Sequence, residues 1–209
     1  MSVAVVYVHG LWLSGHEAFL LGRRLEKERG YQWHAFNYAS TMLTMADIAD
    51  GLHAFITGIT EPTVHLVGHS LGGLVIQRCL ERHPHIAPGR VVFLGTPSLA
   101  SQSASAVGRF RYGRNLLGQA ATEEFLFTHQ RVWSHERELG IIAGNQPLGL
   151  ARLVVDFQEA NDGTVAVSET RMPGAKAHIV LPVSHTGMLL SARVAFETGQ
   201  FLETGHFGA

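Results

Sequence analysis

The chain has 209 residues, 46% of them apolar, and a formal net charge of −1 at neutral pH. That length suits one domain with a substantial core, and the near-zero charge disfavours nucleic acid or an anionic membrane as a partner. Only 16% of the residues are charged, against about 25% in a typical domain, which favours a sheet covered by helices on both faces. No apolar run approaches the roughly 18 residues of a membrane span, so we expect a cytoplasmic protein with no integral membrane segment.

Strand and helix patterns alternate along the chain. The patterns predict, in chain order, strand 3–10, helix 16–30, strand 31–38, helix 44–59, strand 63–68, helix 70–83, strands 90–97, 140–145 and 177–182, and helix 187–203. Thr44 fits an N-cap and Gly30 a C-cap. The alternation predicts an α/β fold, namely a doubly wound, mostly parallel sheet of about six strands with helices on both faces, in one domain over 1–209.

The segment 98–135 interrupts this pattern between two predicted strands. It begins with small polar residues and becomes helical later, as an inserted lid or cap would. Its Arg109, Arg111 and Arg114 form either a solvated loop face or a basic cluster that could meet an anionic head group.

The cysteine and histidine patterns predict neither a disulfide nor a metal site, and the first residues do not have the pattern of a signal peptide. Cys79 is the only cysteine, so no intrachain disulfide can form, and its apolar surroundings predict a core residue. The 13 histidines include no H-E-x-x-H, and HPH at 83–85 follows a helix beside a proline, so we expect neither a metal nor a cofactor. The opening MSVAVVYVHG lacks a basic segment, so we expect no signal peptide.

The stretch GHSLGG, residues 68–73, lies between a predicted buried strand and a helix. Such a sharp turn strains the middle residue and projects its side chain above the sheet, where the helix N-terminus offers amide donors. Ser70 is therefore a candidate nucleophile, with Gly68 and Gly72 removing side chains that would collide. The alternative is a purely structural glycine turn. No lysine follows the glycines, which disfavours a phosphate-binding loop.

A nucleophilic serine needs an acid and a base that follow it in the order Ser, acid, His. Only two aspartates follow Ser70. Asp162, in the turn sequence ANDGTV, is the favoured acid, although an Asp-Gly turn needs no catalytic role. Asp156 lies in or at the end of an apolar run and is the reserve, and Glu159 is a weaker candidate.

Three histidines follow Asp162. His185, in LPVSHTGML, lies between a strand and a helix and is the favoured base, unless it is a capping or solvated loop histidine. His178 opens a strand, at the wrong end for a site formed by strand carboxyl ends. His206 lies in the tail after the last helix.

Donors for a developing oxyanion are expected from two backbone amides. One is the amide of Leu71, directly after the nucleophile, and the other is that of Leu11, in the loop after the first strand. In that loop we interpret His9 as a loop-ordering residue, since it precedes Ser70. Trp12 either lines the substrate pocket or belongs to the core.

These motifs resemble those of α/β-hydrolases of the compact bacterial lipase and esterase type, over nearly the whole chain. The resemblance rests on VYVHGLW, GHSLGG, LGTP, NDGTV and SHTGM. It implies a catalytic triad of Ser70, Asp162 and His185. It also implies that the backbone amides of Leu11 and Leu71 bind the oxyanion. The single glycine of the first motif disfavours esterases that use a glycine-rich oxyanion loop.

The sequence thus predicts a serine hydrolase that cleaves a small-molecule ester or lipid through an acyl-enzyme. A thioesterase or an acyltransferase could use the same triad, and a hydrolase-fold binding protein could keep the pocket without turnover. The presence of all three triad residue types argues against the binding protein.

Overall fold

The computed structural model describes residues 2–98, 119–122, 124, 130–148 and 158–208. The strands in these ranges are β1 (Val3–Val8), β2 (Gln32–Phe36), β3 (Thr63–His69), β4 (Val91–Leu94), β5 (Leu139–Gly144) and β6 (Ala177–Leu181). The α-helices with described bounds are α1 (Phe19–Arg29), α2 (Met45–Thr57), α3 (Leu71–Arg82) and α4 (Ala192–Thr204), and residues 119–122 are helical as well. Short 3₁₀ helices lie at His16–Ala18, Ser168–Thr170 and Gly187–Leu190.

The six described strands form one sheet in the order β2-β1-β3-β4-β5-β6, and every neighbouring pair is parallel. The chain order reverses between β1 and β3, so the connections on either side of this point run toward opposite edges of the sheet. Such a reversal opens a crevice at the strand carboxyl ends. The predicted doubly wound, parallel sheet is confirmed.

Alternate residues of the central strands contact two separate apolar layers. On one face of β1, Val6 packs in a cluster with residues of α2 and α3. On the other face, Tyr7 packs with α1 and α4, through residues such as Leu21 and Phe201. Because both faces are covered, the strands read as continuous apolar runs rather than as alternating ones. The prediction of helices on both faces is confirmed.

Two predicted helices are divided near their N-terminal ends. The predicted helix 16–30 begins as the 3₁₀ turn His16–Ala18 and becomes α-helical at Phe19. The predicted closing helix 187–203 begins as the 3₁₀ turn Gly187–Leu190 and is interrupted at Ser191, which has an extended backbone. It continues as α4. There the Ser191 hydroxyl accepts the amide of Val194 and caps α4, because a serine at this position satisfies an otherwise unpaired amide.

The two predicted helix caps are confirmed. The Thr44 hydroxyl accepts the amide of Asp47 at 3.1 Å at the start of α2. Gly30 ends α1 with φ +70°, and its amide donates to the carbonyl of Glu26. A left-handed residue at this position favours glycine because it has no Cβ.

Some of the predicted features involve residues outside the described ranges. The segment 98–135 lies outside the described residues except for 98, 119–122, 124 and 130–135. Arg109, Arg111, Arg114 and Asp156 also lie outside them. Cys79 is buried in the core, as expected. None of the helices in the described ranges is long and apolar enough to cross a bilayer.

A buried histidine on β3 links the stability of the fold to pH. The Nδ1 atom of His65 accepts the amide of Arg90 at 2.8 Å, and the side chain is 5% exposed. Burial, together with the nearby charges of Arg90 and Arg137, lowers the pKa of His65 from 6.5 to about 4. Between these values the unfolded chain binds a proton that the folded chain does not, so the free energy of unfolding falls as the pH falls.

We expect His65→Asn to reduce this pH dependence. Asparagine keeps an acceptor for the Arg90 amide but does not titrate. Urea unfolding at pH 7, 6, 5 and 4.5 should give a smaller slope of stability against pH, by up to about 1.4 kcal/mol per pH unit below pH 6.5. A slope equal to that of the wild type would contradict the assignment of a neutral, buried imidazole at this position.

Candidate active site

Ser70 forms the turn between β3 and α3. Its φ of +53° and ψ of −122° are values that a residue with a side chain rarely adopts. The amide of Ser70 donates to the carbonyl of Leu94 at 2.9 Å, while its hydroxyl does not cap α3. Strained residues of this kind cluster at functional sites, and here the strain is maintained by the packing around the turn.

Three glycines make this turn sterically possible. A Cβ on Gly72 would overlap the carbonyl oxygen of Val8, at the end of β1. A Cβ on Gly73 would overlap the side chain of Thr96, and one on Gly68 would lie 2.6 Å from the Cα of Gly73. Each of these contacts is closer than real Cβ atoms come to backbone or side-chain atoms. The glycines of GHSLGG therefore bring α3 directly against the ends of β1 and β4.

Asp162 and His185 are joined by a hydrogen bond of 2.7 Å between Oδ2 and Nδ1. Both side chains are buried, with 1% and 8% exposed. The other carboxylate oxygen of Asp162 accepts the amides of Thr164 at 2.9 Å and Val165 at 2.7 Å. Because a carboxylate favours a donor opposite it, the Nδ1 atom of His185 carries the proton and Nε2 is left as the basic atom.

The loops that follow five strands meet at this edge of the sheet. Asp162 lies in the connection after β5, and His185 follows β6. Gly95, directly after β4, has φ +58°, and a Cβ on it would lie 3.0 Å from both the Asp162 Oδ2 and the His185 Nδ1 atoms. Gly10 follows β1, and a Cβ on it would lie 3.1 Å from the Cβ of Ser70. The structure thus joins Asp162 to His185 and packs Ser70 at the same edge.

The predicted oxyanion amides belong to the loop after β1 and to the start of α3. Leu71 is the first residue of α3. The amides of Leu11 and Leu71 donate no hydrogen bond to another described residue. In contrast, the amide of Trp12 donates to the Ser40 hydroxyl at 3.1 Å. Trp12 has φ +61° and is 62% exposed, which excludes the alternative of a core residue.

His9 and Tyr38 hold the loop after β1. The Nδ1 atom of His9 donates to the carbonyl of Gly10 at 2.7 Å, and its Nε2 atom accepts the amide of Tyr38 at 3.2 Å. The Tyr38 hydroxyl donates to the His9 carbonyl at 2.7 Å, and the two rings stack with centroids 4.1 Å apart. Burial lowers the pKa of His9, which favours the neutral ring that these bonds require.

Sequence reasoning did not identify Tyr38, Ser40 or His69 as parts of this region. Tyr38 and Ser40 follow β2, and His69 is the last residue of β3. Polar residues at the carboxyl ends of predicted parallel strands are the signal that could have found them, because these ends share one edge of the sheet.

The other candidate residues make different contacts or lie on other elements. His178 lies at the amino end of β6 and contacts the Thr170 hydroxyl at 2.9 Å. Glu159 accepts the hydroxyl of Ser168 at 2.8 Å. His206 follows α4. Across the described part of the chain, no group of three or more His, Cys, Asp or Glu is arranged to hold a metal ion.

Comparison with known sequences supports the same fold family. A profile described as the alpha/beta hydrolase family matches residues 5–197. The curated relative named "Putative carbamate hydrolase RutD", from Pantoea ananatis (strain LMG 20103), is 27% identical over 180 residues, which cover 78% of this chain and 63% of the relative. The chain therefore spans less than two thirds of that protein.

Solved structures share this architecture. The mature form of Bacillus licheniformis lipase BlEst2 matches with a TM-score of 0.74 and 22% identity, over 97% of this chain and 91% of the lipase. The RedJ thioesterase of the prodiginine pathway in Streptomyces coelicolor matches with a TM-score of 0.62 and 14% identity, over 95% and 85% of the two chains. At these identities the likeness concerns the fold. Because the family profile spans far more than half of its residues, this chain belongs to the alpha/beta hydrolase family.

Proposed function

We propose that the chain is a serine hydrolase that cleaves carboxylic esters through an acyl-enzyme. The observation that carries the proposal is the buried 2.7 Å bond between Asp162 and the Nδ1 atom of His185, at the same sheet edge as the strained turn of Ser70. In this proposal Ser70 is the nucleophile, His185 the general base and Asp162 the group that orients the imidazole.

Acylation begins when the Nε2 atom of His185 takes the proton from the Ser70 hydroxyl, as its oxygen attacks the ester carbonyl. The imidazolium that forms is stabilised by the adjacent carboxylate of Asp162, which stays ionised. His185 then gives the proton to the leaving alcohol, and the acyl group remains on Ser70. In the second half, His185 removes a proton from a water molecule whose oxygen attacks the acyl carbon, and it returns that proton to the Ser70 oxygen as the acid leaves.

The developing oxyanion is bound by the amides of Leu11 and Leu71. Two features support this role, namely that neither amide is used by another described residue and that Leu71 begins α3. The N-terminus of a helix carries a partial positive charge, which favours an anion there. Donors aimed at the place where charge develops lower the barrier most effectively when water is excluded.

Exposed apolar side chains around the same edge support an ester with an apolar part. Trp12, Met42 and Leu148 are 62%, 80% and 64% exposed, in the loops that follow β1, β2 and β5. An apolar rim stabilises a bound acyl chain or alcohol by removing apolar surface from water. Trp12, beside the Leu11 amide, is the residue we assign to substrate binding, and the substrate is a small-molecule ester or lipid.

Thioesters and carbamates are the alternative substrates to an oxygen ester. The name of the curated relative refers to carbamate hydrolysis, and RedJ, a protein of the same fold, is described as a thioesterase. Both classes of carbonyl undergo the same attack by an activated serine. An acyltransferase would follow the same first half-reaction and pass the acyl group to an alcohol or amine.

We expect Ser70→Ala to abolish hydrolysis of p-nitrophenyl esters. Removal of the nucleophile should lower kcat by at least about 10³-fold, because only binding and oxyanion stabilisation remain. An ester series from acetyl to palmitoyl measures the acyl chain length that the enzyme accepts. Ser134→Ala, at an exposed serine far from the turn in sequence, is the matched control and should retain full activity.

Equal activity of Ser70→Ala and wild type would overturn the assignment of the nucleophile. If folded wild-type protein hydrolyses no ester of the series, the ester proposal is wrong, and acyl-coenzyme A and p-nitrophenyl carbamates are assayed next. Hydrolysis of only one of those, lost in Ser70→Ala, would move the chain to that substrate class.

We expect Asp162→Asn to lower kcat by about 10²- to 10⁴-fold with little change in KM. An amide at this position favours the wrong tautomer of His185 and does not stabilise an imidazolium. Glu159→Gln removes a carboxylate three residues earlier in the chain, which accepts the Ser168 hydroxyl, and it serves as the matched control. A larger loss in Glu159→Gln than in Asp162→Asn would show that the acid is misassigned.

A further inference from the structure

His69, the residue before the candidate nucleophile, contacts the candidate base. It ends β3 and is 1% exposed. Its Nε2 atom lies 3.0 Å from the carbonyl oxygen of His185. The rings of His69 and His185 also touch, with centroids 4.7 Å apart and planes inclined by 45°. The proposed mechanism gives this side chain no role so far.

The hydrogen bond to the His185 carbonyl determines which ring nitrogen of His69 carries the proton. A carbonyl oxygen only accepts, so the Nε2 atom must carry the proton. The Nδ1 atom then holds a lone pair, and it has no hydrogen-bond partner among the described residues. Burial and the neighbouring His185 lower the pKa of His69 to about 3, against opposing contributions from Asp162 and from the bond to the His185 carbonyl. His69 is therefore a neutral donor and not a second base.

Among the described residues, the other two hydrogen bonds of His185 both go to Asp162. Its amide donates to the carbonyl of Asp162 at 2.9 Å, and its Nδ1 atom donates to the Oδ2 atom of the same residue. Both residues lie on connections at the edge of the sheet rather than within a strand. The bond from His69 comes instead from a central strand, which is paired on both sides with β1 and β4.

We propose that His69 is a positioning residue, whose Nε2 proton holds the main chain of His185 so that the imidazole faces Ser70. This inference rests on the proposed function of Ser70 and His185. A general base must lie within hydrogen-bond reach of the proton that it removes. A carbonyl anchored to β3 restricts the rotation of the His185 peptide, and with it the direction in which the ring leaves the backbone.

Three substitutions separate the donor from the space that the ring fills. His69→Gln keeps an N–H donor as far from the backbone as the Nε2 atom. His69→Asn carries the same amide one carbon shorter, and His69→Leu fills the space without a donor. We expect Asn and Leu to lower kcat by about 10- to 100-fold with KM within about twofold of wild type, and Gln to recover most of the loss.

The kinetic test uses the best p-nitrophenyl ester, with the melting temperature of each variant measured beside it. Recovery by Gln but not by Asn or Leu supports a donor role, because a space-filling role would follow volume instead. Equal activity in all three variants, whether near wild type or low, would overturn the proposal. If wild type itself shows no hydrolysis that depends on Ser70, the proposed function fails and not this inference alone.

A second measurement needs no variant and no activity. Nitrogen-15 NMR of the wild-type protein reports which ring nitrogen of each histidine carries a proton. We expect His69 to remain in the neutral Nε2–H form from pH 5 to 9, donating to the His185 carbonyl. An Nδ1–H form, or titration near pH 6.5, would contradict the inference even if the variants failed to fold.

Discussion

The end of β1 and the first turn of α3 approach too closely for any side chain to lie between them. A Cβ on Gly72 would overlap the Val8 carbonyl, and a Cβ on Gly68 would meet the Cα of Gly73 at 2.6 Å. This close approach makes the turn at Ser70 sharp, and it holds a serine at φ +53° at the edge where the loops after other strands arrive. The remaining parts of the candidate site are arranged around this fixed turn.

Hydrogen bonds explain how the pair of Asp162 and His185 can be buried. A buried carboxylate is costly unless it is hydrogen-bonded, and Asp162 accepts two backbone amides and the imidazole of His185. One oxygen is thus satisfied by its own loop, which leaves the other directed at the ring. His9 and His69 are both held neutral by burial and act as hydrogen-bonding groups. In this account the charge that develops during the reaction is confined to His185 and the oxyanion.

The sequence predicts the parts of the structure that follow from local chemistry. Alternating strand and helix patterns predict the sheet, and the spacing of glycines around Ser70 predicts the turn, because both depend on neighbouring residues. The pairing of Asp162 with His185 is predicted from chain order, from the position of each residue between elements and from the family resemblance, but its 2.7 Å geometry depends on the tertiary fold. The contact of His69 with the His185 carbonyl joins residues 116 positions apart, so no local pattern indicates it. The break at Ser191 is missed because a 3₁₀ turn and an α-helix share nearly the same apolar spacing.

Covalent labelling by a fluorophosphonate would show whether Ser70 is an activated nucleophile, since the reagent reacts with a serine only when a neighbouring base removes its proton. We expect one adduct per chain, located by peptide mass spectrometry on Ser70, and at least about 100-fold slower labelling in His185→Ala. Folded wild-type protein that is not labelled, or that is labelled at another residue, would show that Ser70 is not the activated serine.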